Sequence, residues 1–296
     1  MEQINSCPVC GTTKFSIYLE CTDYTVSQKT FKIDQCDACD FLFTNPRPNK
    51  NEIGPYYQSS AYISHTNAKK GLFNKAYQII RNYAIGQKIK LITGLLKRKS
   101  DIKLLDIGCG TGEFLAGCIK KGWNGVGVEP SESARVQGIE NYNLSVFDEN
   151  FLKTTKDRFD VITLWHVLEH VHDLNERLDQ IKALLSSEGI VIIAVPNNDS
   201  ADCNEYGGSW AAWDVPRHLY HFTPKTIKEL MVKHGLRHAY SAPMVFDSYY
   251  VSLLSTHYKY GKKNYLKAIK SGMLSNQSTK GNPEKYSSVI YCFKHE

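Results

Sequence analysis

Four of the nine cysteines form two pairs, Cys7-Pro8-Val9-Cys10 and Cys36-Asp37-Ala38-Cys39. Each C-x-x-C turn presents two thiolates to one ion, and two such knuckles complete a tetrahedral zinc site. With Cys7, Cys10, Cys36 and Cys39 all ligands, no open position remains for catalysis, so the site reads as structural. A redox pair of the thioredoxin kind would need a βαβ context that is absent around these cysteines. A second constellation lies at Leu104-Leu105-Asp106-Ile107-Gly108-Cys109-Gly110-Thr111-Gly112. Three glycines in five residues let the backbone turn sharply and approach a ligand without a Cβ in the way. The loop reads G-x-G-x-G, not the G-x-G-x-x-G of a dinucleotide site, and it lacks the Gly-Lys-Ser/Thr ending of a phosphate loop. Asp106 at its start would repel a pyrophosphate and suits a ligand with a cationic head.

These groups need positioning elements, and the chain supplies them. Strand-like stretches Lys14–Cys21 and Thr30–Gln35 between the knuckles suffice for a small ribbon, too small to fold without a metal. Asn45-Pro46-Arg47-Pro48-Asn49 then breaks regular structure and reads as a linker. From Asp101 onward, short apolar strands alternate with helices. Strands are expected at Ile102–Ile107, Gly125–Val128, Leu144–Phe147, Phe159–Leu164 and Ile190–Val195, with helices at Glu113–Lys121, Ser131–Asn141 and Asp173–Ser186. That rhythm predicts a doubly wound α/β domain with a parallel sheet, which binds ligands at the carboxyl ends of its strands. Three units follow: 1–48, a zinc-ribbon-like domain; 49–100, a basic linker and helical lid; 101–296, the α/β domain. Glu129 closes the second strand, where a carboxylate commonly accepts both ribose hydroxyls of an adenosine. Asp148, just past the third strand, is placed to accept from an adenine amino group.

The stretch Asp106–Gly112, the strand-end Glu129 and the segment Phe159-Asp160-Val161-Ile162-Thr163-Leu164-Trp165-His166-Val167-Leu168-Glu169-His170-Val171 resemble the class I S-adenosylmethionine-dependent methyltransferases. With the knuckles and His218-Leu219-Tyr220-His221-Phe222, the chain looks like a bacterial subgroup that includes deoxysugar C-methyltransferases. Ubiquinone-type O-methyltransferases share the Glu169-His170 segment but not the knuckles. The resemblance implies a Rossmann-like seven-stranded sheet whose last strand is antiparallel, inserted beside a sixth strand at Leu236–Ser241. It also implies S-adenosylmethionine as cofactor, with the methionine part on Asp106 and Gly108, Cys109, Gly110 and Gly112. The ribose falls to Glu129 beside Pro130, and the Leu164-Trp165-His166 strand end faces the sulfonium.

His166-Val167-Leu168-Glu169-His170 also matches the H-x-x-E-H pattern of one metalloprotease class. That chemistry needs one continuous helix, whereas this motif starts at a strand end and precedes Asp173, a candidate N-cap with Glu176 at the capping-box position. His166 is expected as a wall of the cleft or a base. Farther on, Gly207-Gly208-Ser209-Trp210, Trp213 and Pro216-Arg217-His218-Leu219-Tyr220-His221-Phe222 crowd two tryptophans, an Arg, two His and a Tyr into one loop region. Histidine titrates close to working pH, so His218, His221 and the neighbouring Tyr220 are candidates to contact an acceptor and carry its proton. Trp210, Trp213 and Phe222 could equally pack the loop, and Thr223-Pro224 starts the next helix.

The net charge of +6 conceals larger blocks: residues 53–100 carry 9 basic and no acidic groups, 101–248 carry 14 and 21, and 249–296 carry 8 and 2. The acidic block must hold a cationic cofactor, and the basic flanks point to an anionic acceptor, such as a phosphorylated small molecule, sugar or nucleotide-sugar. Lys69–Lys99 reads as one or two amphipathic helices with lysines on a solvated face, and Lys262–Lys285 as a mobile loop before a last strand at Ser287–Phe293. Tyr56, Tyr57 and Tyr62 either pack on the next domain or cover a cleft. No nucleic-acid module is recognisable. The apolar runs are far short of a bilayer span of about 20 residues. A polar start and reduced thiols predict a cytoplasmic protein. The expected activity is methyl transfer to a small molecule; the alternatives are RNA modification and cofactor binding or docking without turnover.

Overall fold

The computed structural model describes residues 1–58, 72–262 and 264–296, with side chains from residue 81 onward in the helix that opens the second stretch. Tyr62, Lys69 and Lys70 lie outside the described residues, and the side chains of Leu72, Lys75, Ala76, Ile79 and Ile80 are likewise undescribed.

The chain begins with a ribbon of β1 (Phe15–Thr22), β2 (Thr30–Cys36) and β3 (Leu42–Thr44), antiparallel throughout. After it come α1 (Leu72–Leu96), β4 (Lys103–Ile107), α2 (Glu113–Ile119), β5 (Asn124–Val128), α3 (Glu132–Tyr142) and β6 (Val146–Phe147). The chain continues through α4 (Phe151–Thr154), β7 (Phe159–Trp165), α5 (Leu174–Leu184), β8 (Leu185–Pro196) and α6 (Ala201–Tyr206). Last come β9 (Tyr220–His221), α7 (Pro224–Lys233), β10 (Leu236–Pro243), α8 (Asp247–Tyr260), α9 (Tyr265–Ser278) and β11 (Ser288–His295).

Seven strands form one sheet in the order β10-β11-β8-β7-β4-β5-β6. β4, β5, β6, β7 and β8 pair in parallel, and β11 runs antiparallel between β8 and β10. The inner strands are apolar on both faces: Leu104, Leu105, Val161, Ile162, Ile192 and Ile193 are fully buried. That pattern fits a parallel sheet covered on both sides. Strand order reverses between β4 and β7, so a crevice opens beyond Ile107 and Trp165.

The ribbon does not stand apart. β9 pairs with β3, Leu42 opposite His221 and Phe43 opposite Tyr220, so the ribbon sheet takes its fourth strand from residue 220 onward. Cys7, Cys36, Phe41 and Phe43 share one apolar core with Leu105, Ile107, Leu164 and Phe222.

Two local expectations change, and the expectations at Thr223 and the H-x-x-E-H segment hold. Residues 262–285 hold the 14-residue helix α9, capped by the Asn264 side chain on the Lys267 N–H, where a mobile loop was expected. Its small residues Ala268, Ser271, Gly272 and Ser275 are buried, with Gly272 close on Tyr249 of α8 and the Ser271 and Ser275 hydroxyls donating to Glu205 and Asp202 of α6, support that composition alone does not reveal. Asp173 occupies the N-cap of α5 without a side-chain cap bond, because its carboxylate pairs with Lys50, while Glu176 pairs with Lys153. Thr223 does cap α7, but its reciprocal partner is Thr226. The H-x-x-E-H segment is a strand end followed by a short 3-10 turn, Leu168–His170, and not a continuous helix.

Candidate functional site

The four knuckle sulfurs lie within 4.8 Å of one another, with Cys7 to Cys39 at 3.6 Å and Cys10 to Cys36 at 3.4 Å. A tetrahedral zinc with bonds of about 2.3 Å separates its sulfurs by roughly 3.8 Å, so the four thiols fit that ion. Gly11 and Asp40 end the two knuckles in left-handed conformations, and their N–H groups donate to the carbonyls of Cys7 and Cys36. Burial pushes the Cys7 thiol up to about 11 and raises Cys39 further, so both hold their protons until a cation takes their place.

At the crevice, the glycine loop is tied to β5: the Gly108 and Cys109 N–H groups both donate to the Val128 carbonyl. Gly108 has φ +68°, and a Cβ there would come within 2.4 Å of Val167, so only glycine fits. Gly110 has φ +56° with open space where its Cβ would point, which leaves backbone accessible to a ligand. Gly112 closes the loop by donating to the Cys109 carbonyl at 3.0 Å.

Asp106 stands opposite Thr163 in the β4–β7 register, and the Thr163 hydroxyl donates to its Oδ1 at 2.6 Å. The carboxyl is 1% exposed, and burial lifts its pKa from 3.8 to about 7 against the opposing pull of Thr163 and Lys88. Lys88 reaches in from α1, its Nζ 3.8 Å from the centre of the Trp165 ring. Burial lowers Lys88 to about 8, opposed by the charges of Asp247 and Asp106. Lys88 therefore departs from the solvated face expected for the lysines of this helix. A buried carboxylate with no full counter-ion, beside open backbone, suits a cationic ligand.

Glu129 accepts one backbone N–H on each oxygen, from Gly110 on Oε2 and from Ser131 on Oε1, both at 2.9 Å. Each oxygen keeps acceptor capacity for one further donor, such as each hydroxyl of a vicinal diol. Pro130 is exposed, and its carbonyl and that of Glu129 both accept from Arg135. Asp148 is exposed, with Oδ1 accepting from the Asn150 N–H. Leu164 is fully buried, and the Trp165 indole N–H is buried with no hydrogen-bond partner among the described residues. That unpaired donor suits a ligand oxygen.

His166 adopts φ +56°, a conformation uncommon for a residue with a side chain. Its Nδ1 lies 3.3 Å from Glu169 Oε1 and its Nε2 3.0 Å from Asp247 Oδ2. Burial alone would discharge the ring, but the two carboxylates prevail and raise it to about 10. Both ring nitrogens of His166 are thus engaged by carboxylates, an arrangement that favours the imidazolium.

The loop between β8 and α7 folds inward. Trp210 and Trp213 are buried edge-to-face, their indole N–H groups donating to Asp202 and the Gly207 carbonyl. They pack the loop. Tyr220 donates to the His172 carbonyl and lies under the Arg47 guanidinium. Thr44 gives its hydroxyl proton to the His218 carbonyl, so His221 Nε2, 3.1 Å away, must donate to Thr44. Both β9 side chains therefore tie the ribbon to the domain, and burial pushes the His221 pKa well below 6.5.

The titratable cluster that remains is Glu169, His170 and His218, whose polar atoms lie within 4.8 Å of one another. His170 Nδ1 donates to the Arg217 carbonyl at 3.0 Å, beside the Tyr57 hydroxyl, and His218 Nδ1 donates to the Ala212 carbonyl at 2.9 Å. Both rings then keep Nε2 as the basic atom. Glu169 Oε2 is buried without a hydrogen-bond partner among the described residues. Burial and the neighbouring His218 lower His170 to about 4.

Comparisons with known proteins follow the same outline. Ubiquinone biosynthesis O-methyltransferase of Rickettsia bellii (strain OSU 85-389) is 28% identical over 159 residues, covering 50% of this chain and 63% of that protein. The Pelagibacter ubique enzyme of the same name is 34% identical over 108 residues, covering 34% and 45%. The chain thus spans less than two thirds of these relatives. Among solved structures, magnesium protoporphyrin IX methyltransferase from Synechocystis PCC 6803 with bound SAH matches with TM-score 0.54 at 10% identity, covering 81% of this chain and 97% of that one. That likeness is one of fold. A family model described as "Methyltransferase domain" matches residues 77–240, more than half of the sequence. The chain belongs to the Methyltransferase domain family.

Proposed function

We propose that the chain is an S-adenosylmethionine-dependent methyltransferase acting on a hydroxyl group of a small molecule. The observation that carries this reading is the buried Asp106 and the diol-accepting Glu129 on either side of an open glycine loop. Bound S-adenosylmethionine supplies the electrophilic methyl group. Asp106 holds the ammonium of the methionine part, and Glu129 accepts the ribose hydroxyls while Gly110 keeps the backbone clear. His166, clamped by Glu169 and Asp247, fixes the β7 end that walls the crevice.

Acceptor binding and proton removal fall to the Glu169–His170–His218 cluster. A neutral imidazole with a free Nε2 can take the acceptor's proton as the methyl arrives. Tyr220 and His221, expected as proton carriers, are given positioning roles: His221 holds the His218 backbone through Thr44, and Tyr220 holds the His172 carbonyl. Oxygen as the methylated atom is supported by the relatives' printed names. An anionic acceptor, of the sugar or nucleotide-sugar type, rests on the basic flank, whose Lys88 faces the crevice. The units 1–48, with a zinc ion, 49–100, with a lid helix, and 101–296 stand as part of this proposal, the first and third joined through β9 and a shared core.

The test is a labelled-methyl screen of hydroxylated acceptors, followed by His218→Ala and His170→Ala. Each variant should keep the wild-type affinity for S-adenosylhomocysteine and lose about 100-fold or more in kcat. Because His170 is deprotonated above about 4, wild-type kcat should show no acid limb between pH 5 and 8. Full turnover in both variants would remove the cluster from the chemistry.

A further inference from the structure

Helix α9 is inverted relative to an ordinary surface helix. It buries Ala268, Ser271, Gly272 and Ser275, with Gly272 against α8 and the two serine hydroxyls on Glu205 and Asp202 of α6, and turns its large apolar residues outward. Tyr265 is 57% exposed, Leu266 84%, Ile269 56% and Met273 49%. On a helical projection these four share one arc of about 100° bordered by Lys270, and Leu274, 51% exposed, and then Lys267 lie farther round. Asn276 donates to the Val245 carbonyl, which brings the half-exposed Val245 and Phe246 alongside the same stripe. Single exposed apolar residues are ordinary, but a contiguous stripe of them marks a surface that something covers.

Charge says what covers it. From Ser248 to Pro283 there are six lysines and no aspartate or glutamate. Lys259 and Lys262 precede the helix and Lys280 follows it, while the Lys267 ammonium lies 3.7 Å from the centre of the Tyr260 ring. An apolar stripe edged by lysines and aromatic rings, with no acid among them, matches an anionic lipid surface. Apolar side chains enter the acyl boundary and lysines reach the headgroups. A protein partner with apolar character alone would leave that one-sided charge unmatched. We infer that α9 is an interfacial helix that docks the protein on an anionic membrane surface.

Vesicle sedimentation of the full chain tests this. Vesicles of phosphatidylcholine with phosphatidylglycerol should carry the protein down, and phosphatidylcholine alone should not. About 0.5 M salt should weaken the binding. Ile269→Glu with Met273→Glu, both on exposed positions, should reduce binding at least about tenfold while thermal midpoint and S-adenosylhomocysteine affinity stay unchanged. Lys267→Glu with Lys270→Glu should do the same. The inference falls if the wild-type chain ignores anionic vesicles at low salt or if the glutamate variants bind like wild type. It falls equally if light scattering shows a dimer that Ile269→Glu with Met273→Glu converts to monomer, since a second copy would then be the cover.

Discussion

Replacing Asp106 with asparagine should cut the affinity for S-adenosylhomocysteine about 100-fold while making the protein more stable at pH 8. Both halves come from one property, the burial that lifts this carboxyl from 3.8 to about 7. A group whose folded pKa exceeds its unfolded value favours the fold most below the unfolded value, and that support is lost as pH rises through the folded one. At pH 8 the charged Asp106 is therefore a liability, on the order of 4 kcal/mol from a shift of about three units. Asparagine carries no charge and can still accept from Thr163, so the thermal midpoint should rise by a few degrees at pH 8 and by progressively less toward pH 4. The same charge is what a ligand ammonium needs, and a charge-assisted contact in a dry site contributes roughly 3 kcal/mol, or about 100-fold. In the wild-type chain, S-adenosylhomocysteine affinity should accordingly weaken as pH falls below 7. Calorimetric titration and thermal melts at pH 6, 7 and 8 read both effects. An asparagine variant that binds as wild type, or that melts lower at pH 8, overturns this role for Asp106.

The sequence made the sheet readable because buried parallel strands leave continuous apolar runs. Leu104-Leu105, Val161-Ile162 and Ile190–Val195 stand out with no knowledge of their neighbours. The antiparallel β11 came only from the family resemblance, since nothing in Ser288–His295 states which strands it joins. Helix α9 was obscured for the opposite reason: a helix that buries Gly, Ala and Ser has the composition of a loop. Its small-residue spacing, 268, 271, 272 and 275, was the available signal.

Within the crevice, motif residues close in sequence were visible and those joined by the fold were not. Asp106, the glycines and Glu129 sit at strand ends, where periodicity places them. Thr163 could have been found by aligning β4 with β7, since parallel pairing sets it opposite Asp106. Asp247 had no such signal, for it meets His166 across 81 residues from the start of a helix not contiguous with any motif. That unseen carboxylate is what engages the second ring nitrogen of His166 and favours the imidazolium. The His218–His221 segment stands out in the sequence, but its members divide where β9 begins, with His218 before the strand and Tyr220 and His221 within it. Residues 220 and 221 are committed to the ribbon, and His218 is left to the cluster with Glu169 and His170.

This split would link a metal held by the four knuckle cysteines to the acceptor side proposed for the crevice. Zinc held by Cys7, Cys10, Cys36 and Cys39 would fix the turn that leads into Phe41 and β3, and β3 is the strand that pairs with Tyr220 and His221. Thr44 at the end of β3 supports both His218 and His221. The glycine loop, by contrast, hangs on Val128 in the parallel sheet. Stripping zinc with a chelator, or replacing the fully buried Cys36 with serine, removes binding energy that in small zinc modules is on the order of 10 kcal/mol. The ribbon is too small to compensate from its own core. Amide exchange at residues 42–44 and 219–222 should therefore accelerate by orders of magnitude, and turnover should fall with it. S-adenosylhomocysteine affinity should remain close to that of the metal-loaded chain, because the loop and Glu129 do not depend on β3. Metal analysis, hydrogen exchange and calorimetry on one preparation separate these outcomes. Protein purified without chelators that carries no zinc, or a stripped chain whose exchange at 219–222 is unchanged, would break the link between ribbon and acceptor site. Loss of cofactor binding together with turnover would instead mean that the ribbon supports the whole core it shares with β4 and β7, not His218 alone.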